Sequence, residues 1–230
     1  MSAHYTADMS SEAAPLSADH PGIAELFSLL AAGELAAFYR LTEEAGMAPS
    51  VAGRVAVAAM AASEMRHFEI LREELERRGV EVVPAVERYE AVLAQYHHST
   101  VPNSWLEALI KAYIGDGLAA DFYLEIAHVL PPEAERVVQE VMAETGSSQF
   151  AIDEVRAAVT ADPILKSPLT LWARRLLGEA ITQAQHVLAA REELSELLFT
   201  GDTGNLNRLA EFFESIQDRH DARMRDLGLA

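Results

Sequence analysis

A chain of 230 residues, half of them hydrophobic, is long enough to bury one sizeable core. Its 36 acidic residues against 18 basic ones leave a formal net charge of −18, which repels phosphate backbones and anionic lipid and opposes tight binding to nucleic acid. Cysteine is absent, which excludes disulfides, thiolate metal sites and cysteine nucleophiles; with no signal pattern and no apolar run read as long enough to span a membrane, a soluble cytoplasmic protein is expected.

Alanine, leucine and glutamate are abundant and β-branched runs are few, so the expected fold class is all-α. Residues 1–20 show no helical stripe and read as a flexible tail, ahead of a single helical domain over 21–230. Ser17 and Asp19, just before Pro21, mark a helix start. The first predicted helix runs from 21 to 45 and stops at Gly46, with the stripe Ile23, Phe27, Leu30, Glu34, Ala37, Leu41. Glu25, Arg40 and Glu43 are assigned to its solvated face, which leaves Glu34 as a carboxylate on the apolar side.

The second predicted helix starts after Ser50, a plausible N-cap, and ends at Arg78 before Gly79. Its stripe is Val57, Met60, Glu64, His67, Leu71, Leu75. A carboxylate and an imidazole thus stand one turn apart on a buried face, where they can grip one metal ion together; Glu-x-x-His on a core-facing helix is part of the ligand set of di-iron carboxylate bundles. The charged stretch 72–78 is expected to project toward solvent. Residues 80–104 form the longest connection: extended over 80–84, with room for a short crossing helix at 85–95. His97 and His98 are adjacent and point different ways, so they read as a solvated loop.

The third predicted helix, 105–130, carries two neighbouring stripes: Leu109, Tyr113, Asp116, Ala120, Tyr123 and Ile110, Ile114, Gly117, Asp121, Leu124. Aspartate is a poor residue in mid-helix, since it competes for backbone hydrogen bonds, so two of them there imply a role beyond stability. Gly115 and Gly117 would let another helix or a bound group come close. The fourth, 132–161, has the stripe Ala134, Val137, Val141, Glu144, Ser148, Ala151, Val155, with Gly146 foreshadowing a local irregularity. The fifth, 169–198, has an apolar side of Ala173, Leu177, Ala180, Ala184 and Val187 beside Glu179, Gln183 and His186, which read as a polar network or solvated edge. After a break at 201–204, a sixth helix over 206–227 places His220 on the stripe Leu209, Phe213, Ile216, Met224, as a capping or partner contact.

The first four helices form two hairpins, each with one carboxylate per arm: Glu34 with Glu64, and Asp116 with Glu144. Four acids at matched depth in one core repel one another unless protonated or held by cations. A dinuclear cation site makes the arrangement tolerable, and carboxylate oxygen with imidazole suits iron or manganese.

Three stretches carry a family resemblance: Gly33-Glu34-Leu35-Ala36-Ala37-Phe38-Tyr39, Glu64-Met65-Arg66-His67, and Gly115-Asp116-Gly117-Leu118-Ala119-Ala120-Asp121-Phe122-Tyr123. Over residues 21–198 the chain resembles the ferritin-like superfamily. More narrowly, it is similar to the branch with the tRNA hydroxylase acting on methylthio-isopentenyl-adenosine and its actinobacterial relatives of unassigned substrate. The resemblance implies a ferritin-like four-helix bundle over about 21–161, a long crossover between helices two and three, and two additional C-terminal helices at 169–198 and 206–227. It also implies a non-haem di-iron hydroxylase or monooxygenase of unknown substrate, with Glu34, Glu64, His67, Asp116 and Glu144 as ligands and Asp121 as the alternative to Asp116.

A pocket is expected beside the third and fifth helices, with Tyr39, Tyr113 or Tyr123 in its wall. The family's fourth element is a second Glu-x-x-His, and here Ser147 stands where that histidine should be. A serine hydroxyl is a poor iron ligand. Two metals, one metal, or a degenerate site serving as a binding or scaffold module all follow from that departure. The expected partner is a small or modified-base substrate, tight tRNA binding being opposed by the charge; a homodimer is one assembly open to the chain, and iron storage is the less favoured third reading.

Overall fold

Side-chain caps set several of the helix starts. Ser50 Oγ accepts from the Gly53 amide at 3.0 Å, and Ser104 Oγ accepts from the Glu107 amide at 3.2 Å, each satisfying a donor that a helix leaves open at its N-terminus. At the C-terminal end of the helix that Ser50 caps, Gly79 takes φ 72°, a left-handed turn that stops it. The structure, a computed structural model, describes residues 16–143, 148–199 and 205–230. Among them the regular structure is helical and no strand occurs. The elements are α1 (Pro21–Glu44), α2 (Val51–Arg77), α3 (Val82–Ser99), α4 (Trp105–Ala127), α5 (Pro132–Met142), α6 (Ser148–Ala161), α7 (Lys166–Ala190), α8 (Glu192–Phe199) and α9 (Asn205–Asp226).

The hairpin α1–α2, closed by a 3-10 turn at Ala45–Met47, is the most extensive packing in the molecule. α4 packs on α5 and α6, α5 on α2, and α4 on α1, which closes a four-helix bundle whose fourth member is split between α5 and α6. The crossover from α2 to α4 is filled by α3, laid across α1 and α7. Of the additional C-terminal helices, α7 and α9 cover α4, and α8 returns to cover α1. One apolar cluster gathers Phe27, Leu30, Leu71, Tyr89 and Val138; a second gathers Met60, Ile110, Ile114, Trp172 and Ile216.

Several expectations are corrected. The connection after α2 is mostly helix: Pro84 sits in the first turn of α3, where its missing N–H costs nothing, and Ala85 and Tyr89 bury one face. The cap of α1 is His20, whose Nδ1 accepts from the Gly22 amide at 3.1 Å, rather than Ser17 or Asp19. The predicted fourth and fifth helices are each divided, the latter by Arg191 in extended conformation. The charged end of α2 turns only partly to water: Glu74 is buried and accepts from both Arg77 and Arg78. One described helix, counted with its following turn as Pro21–Met47, is by length and composition long and apolar enough to cross a membrane, contrary to the sequence expectation. In the fold α1 is packed between α2, α3 and α8 and carries Glu34 and Arg40 among its buried residues. Most of the N-terminal tail and the break at 201–204 lie outside the described residues.

Candidate metal centre

The mid-helix acids of α1 and α2 meet. Glu34, Glu64 and His67 each offer a ligand atom, and these atoms lie within 4.8 Å of one another. His67 Nδ1 stands 3.3 Å from Glu34 Oε2, and Glu34 and Glu64 share a hydrogen bond. The spacing of three between Glu64 and His67 puts both on the face of α2 that turns to α1. Asp116 of α4 lines the same cavity; its charge acts on Glu34, and the charge of Glu64 acts on it.

The electrostatics are those of acids deprived of water. Burial pushes Glu34 up to about 7; its hydrogen bond with Glu64 opposes the rise and the charge of Asp116 adds to it. Glu64 is pushed up to about 9 by burial, then by the Glu34 hydrogen bond and charge, with His67 and Arg40 pulling the other way. Asp116 rises to about 7 through burial and the charge of Glu64, against Arg40 and His67. Such a group holds protons at neutral pH until a cation replaces them.

The two aspartates of α4 have different fates. Asp121 is buried and taken by α9: Arg223 Nη1 donates to Oδ2 at 2.7 Å and Arg219 Nη1 to Oδ1 at 3.2 Å. Asp121 is therefore an ion-pair anchor, whereas Asp116 lines the cavity beside Glu34, Glu64 and His67. The same helix contact accounts for Gly117, because an added Cβ would sit 2.1 Å from Arg223 Nε. At Gly115 an added Cβ would meet nothing within 4 Å, so that glycine faces the open cavity. Glu144 and Ser147 lie outside the described residues.

The cavity is about 250 Å³ and largely apolar, with walls from α1, α2, α3, α4, α5, α7 and α9. Tyr123 lines it, whereas Tyr39 is 60 % exposed and the Tyr113 hydroxyl donates to Asp226 at 3.1 Å. Gln183 lines it too; Glu179 instead accepts from Ser99 Oγ at 2.9 Å, and His186 is exposed. His220 of α9 is buried, and neither ring nitrogen meets a hydrogen-bonding partner among the described residues, so it is not a cap.

Four lining residues were missed by sequence reasoning: Arg40, Tyr96, His97 and Lys111. Arg40 was assigned to a solvated face and is buried; His97 was assigned to a solvated loop and stands in the cavity wall, held neutral by burial and by the charges of Arg40 and Lys111, which push it down to about 3. A signal existed for Arg40. Ala37, Arg40 and Glu44 step by three and four, so they share a face that adjoins the one carrying Glu34. Lys111 betrayed itself as a lone cation within an otherwise apolar turn, Ala108 to Ile114.

The donor set fits a divalent metal. Carboxylate oxygens with one imidazole match iron or manganese, and buried acids with raised pKa values are groups that bound cations would stabilise. A search of curated proteins finds no match for the chain. Residues 19–201, most of its length, match the family described as ferritin-like domain, actinomycetes. This protein belongs to that actinomycete ferritin-like family.

Proposed function

We propose that the protein is a non-haem iron hydroxylase or monooxygenase acting on a small organic substrate. The observation that carries this reading is the meeting of Glu34, Glu64 and His67 at the wall of a largely apolar cavity large enough for a small molecule. Glu34, Glu64, His67 and Asp116 are the residues that would hold iron, with manganese as the substitute metal. Iron held there supplies the redox chemistry that activates dioxygen for attack on a C–H bond.

The chain's own residues then have defined tasks. Glu34 and Glu64 would give up their shared proton for a bound cation, and His67 Nδ1 is oriented by Glu34 Oε2. Phe122, Leu118 and Ile181 keep water from the cavity and hold an apolar body beside the acids. Gly33 and Gly115 leave the room for it. The net charge of −18 disfavours tRNA as the carrier of that substrate, so a free small molecule in a reducing cytoplasm is preferred to a base within a polynucleotide.

Metal analysis of protein purified without chelators tests the proposal. About one to two irons per chain are expected. Metal-free protein whose melting temperature does not move on adding ferrous iron would overturn it. A second reading, a scaffold module with a degenerate site, is favoured by Ser147 alone. Ser147→His separates the two: higher iron occupancy marks a weakened metal site, and unchanged occupancy marks a scaffold.

A further inference from the structure

Six residues along α1 from Glu34, roughly 9 Å by helix rise, the cavity wall changes sign. Arg40 of α1 and Lys111 of α4 both line it, at 9 % and 2 % exposure. One buried carboxylate answers them. Glu44 Oε2 accepts from Arg40 Nη1 at 3.0 Å, and its Oε1 stands 3.8 Å from Lys111 Nζ. Lys111 Nζ also donates to the Thr100 carbonyl at 2.7 Å and lies 5.9 Å from the centre of the Tyr96 ring.

The set is incomplete. Two buried cations face one buried carboxylate, and hydrogen-bonding atoms are left over. Arg40 Nε has no hydrogen-bond partner among the described residues, and neither has His97 Nδ1 on the adjoining wall. A buried polar group left unpaired is costly, and more so when charged, so its persistence beside a cavity calls for a ligand.

We propose that the Arg40–Lys111–His97 end of the cavity binds the carboxylate of a small organic acid whose apolar body lies along the remaining walls. Its binding stands on the cation cluster and the cavity; only the role of that acid as substrate rests on the metal-centre reading above. A monoanion matches a surplus of one charge, and a phosphate dianion beside three acids does not. The planar guanidinium of Arg40 suits a carboxylate, and neutral His97 offers one further donor or acceptor. Leu118, Phe122 and Ile181 supply the apolar surface for the rest of the molecule.

The test uses the full chain and matched pairs: octanoate against 1-octanol, and 3-phenylpropanoate against 3-phenylpropanol, titrated by calorimetry. Each carboxylate is expected to bind at least about tenfold tighter than its alcohol. Arg40→Gln and Lys111→Met should each abolish that preference while leaving alcohol binding and helical circular dichroism unchanged, and Lys111→Arg should restore much of it. The wild-type comparison stands even where a variant fails to fold. Equal binding of acid and alcohol, no binding of either acid below about 5 mM, or a preference that survives both substitutions would each overturn the proposal. Iron measured on the same samples separates the two readings: iron-free protein that still prefers acids sinks only the oxygenase, and iron-loaded protein without the preference sinks only the subsite.

Discussion

His67 Nδ1 lies 3.3 Å from Glu34 Oε2, joining two helices through side chains that are 33 positions apart. Glu64 completes the group and is the acid raised furthest, to about 9, so at neutral pH it is protonated in the metal-free protein. Glu64→Gln imitates that neutral form and relieves Glu34. The variant is expected to melt about 2–6 °C higher than wild type without metal and to lose the stabilisation that ferrous iron gives. Differential scanning calorimetry with and without iron checks both. A variant that melts lower and still responds to iron would remove Glu64 from the site.

Stability of the metal-free protein should fall as pH rises. Glu34, Glu64 and Asp116 have folded pKa values of about 7, 9 and 7, against ordinary values of 4.5, 4.5 and 3.8. Between these limits the folded chain holds protons that the unfolded chain has released, so each step up in pH favours unfolding. The loss begins above about pH 4 and continues through the folded values toward pH 9. Metal replaces the protons, so the loaded protein should show a flatter profile. Urea titrations at pH 5, 7 and 9 test this, and a metal-free protein equally stable at all three contradicts it.

Asp121 and Asp116 sit five positions apart on α4 and should behave oppositely. Asp121→Asn strands Arg223, whose side chain is 14 % exposed, and weakens the half-exposed Arg219. A loss of about 2–4 kcal/mol is expected, with iron content unchanged. Asp116→Asn should instead reduce iron content and leave or raise the stability of the metal-free protein. Equal loss of iron in both variants would return Asp121 to the ligand set.

Two glycines separate close packing from open space. At Gly22 an added Cβ would lie 2.5 Å from the Glu193 carbonyl and 2.7 Å from Leu197 Cγ, so Gly22→Ala must push α8 off α1 and cost about 1–3 kcal/mol. At Gly115 nothing stands within 4 Å, so Gly115→Ala should gain up to about 1 kcal/mol of helix propensity while narrowing the cavity. Thermal melts of the two variants should therefore shift in opposite directions.

The hairpins and their acids were legible because helical periodicity alone puts Glu34, Glu64 and His67 among apolar residues. The cationic end was not. The stripe of α1 drifts, so Arg40 and Glu44 follow Glu34 at spacings that also read as a flank. Pro84 and its neighbouring valines suggested extended chain, which hid the face of α3 that carries Tyr96 and His97. The choice between Asp116 and Asp121 rested on where α9 lands, and the local pattern of α4 holds no trace of that.

The contact between α1 and α8 bears on how the chain is made. During N-to-C synthesis α1, apolar enough to pass for a membrane segment, emerges roughly 150 residues before the helix that lies across it at Gly22. At ribosomal speeds of about 5–20 residues per second, that side of α1 waits for several seconds or longer before its cover arrives. Over that interval α2 is its earliest shelter, so nascent chains released before α8 should be the ones that chaperones retain.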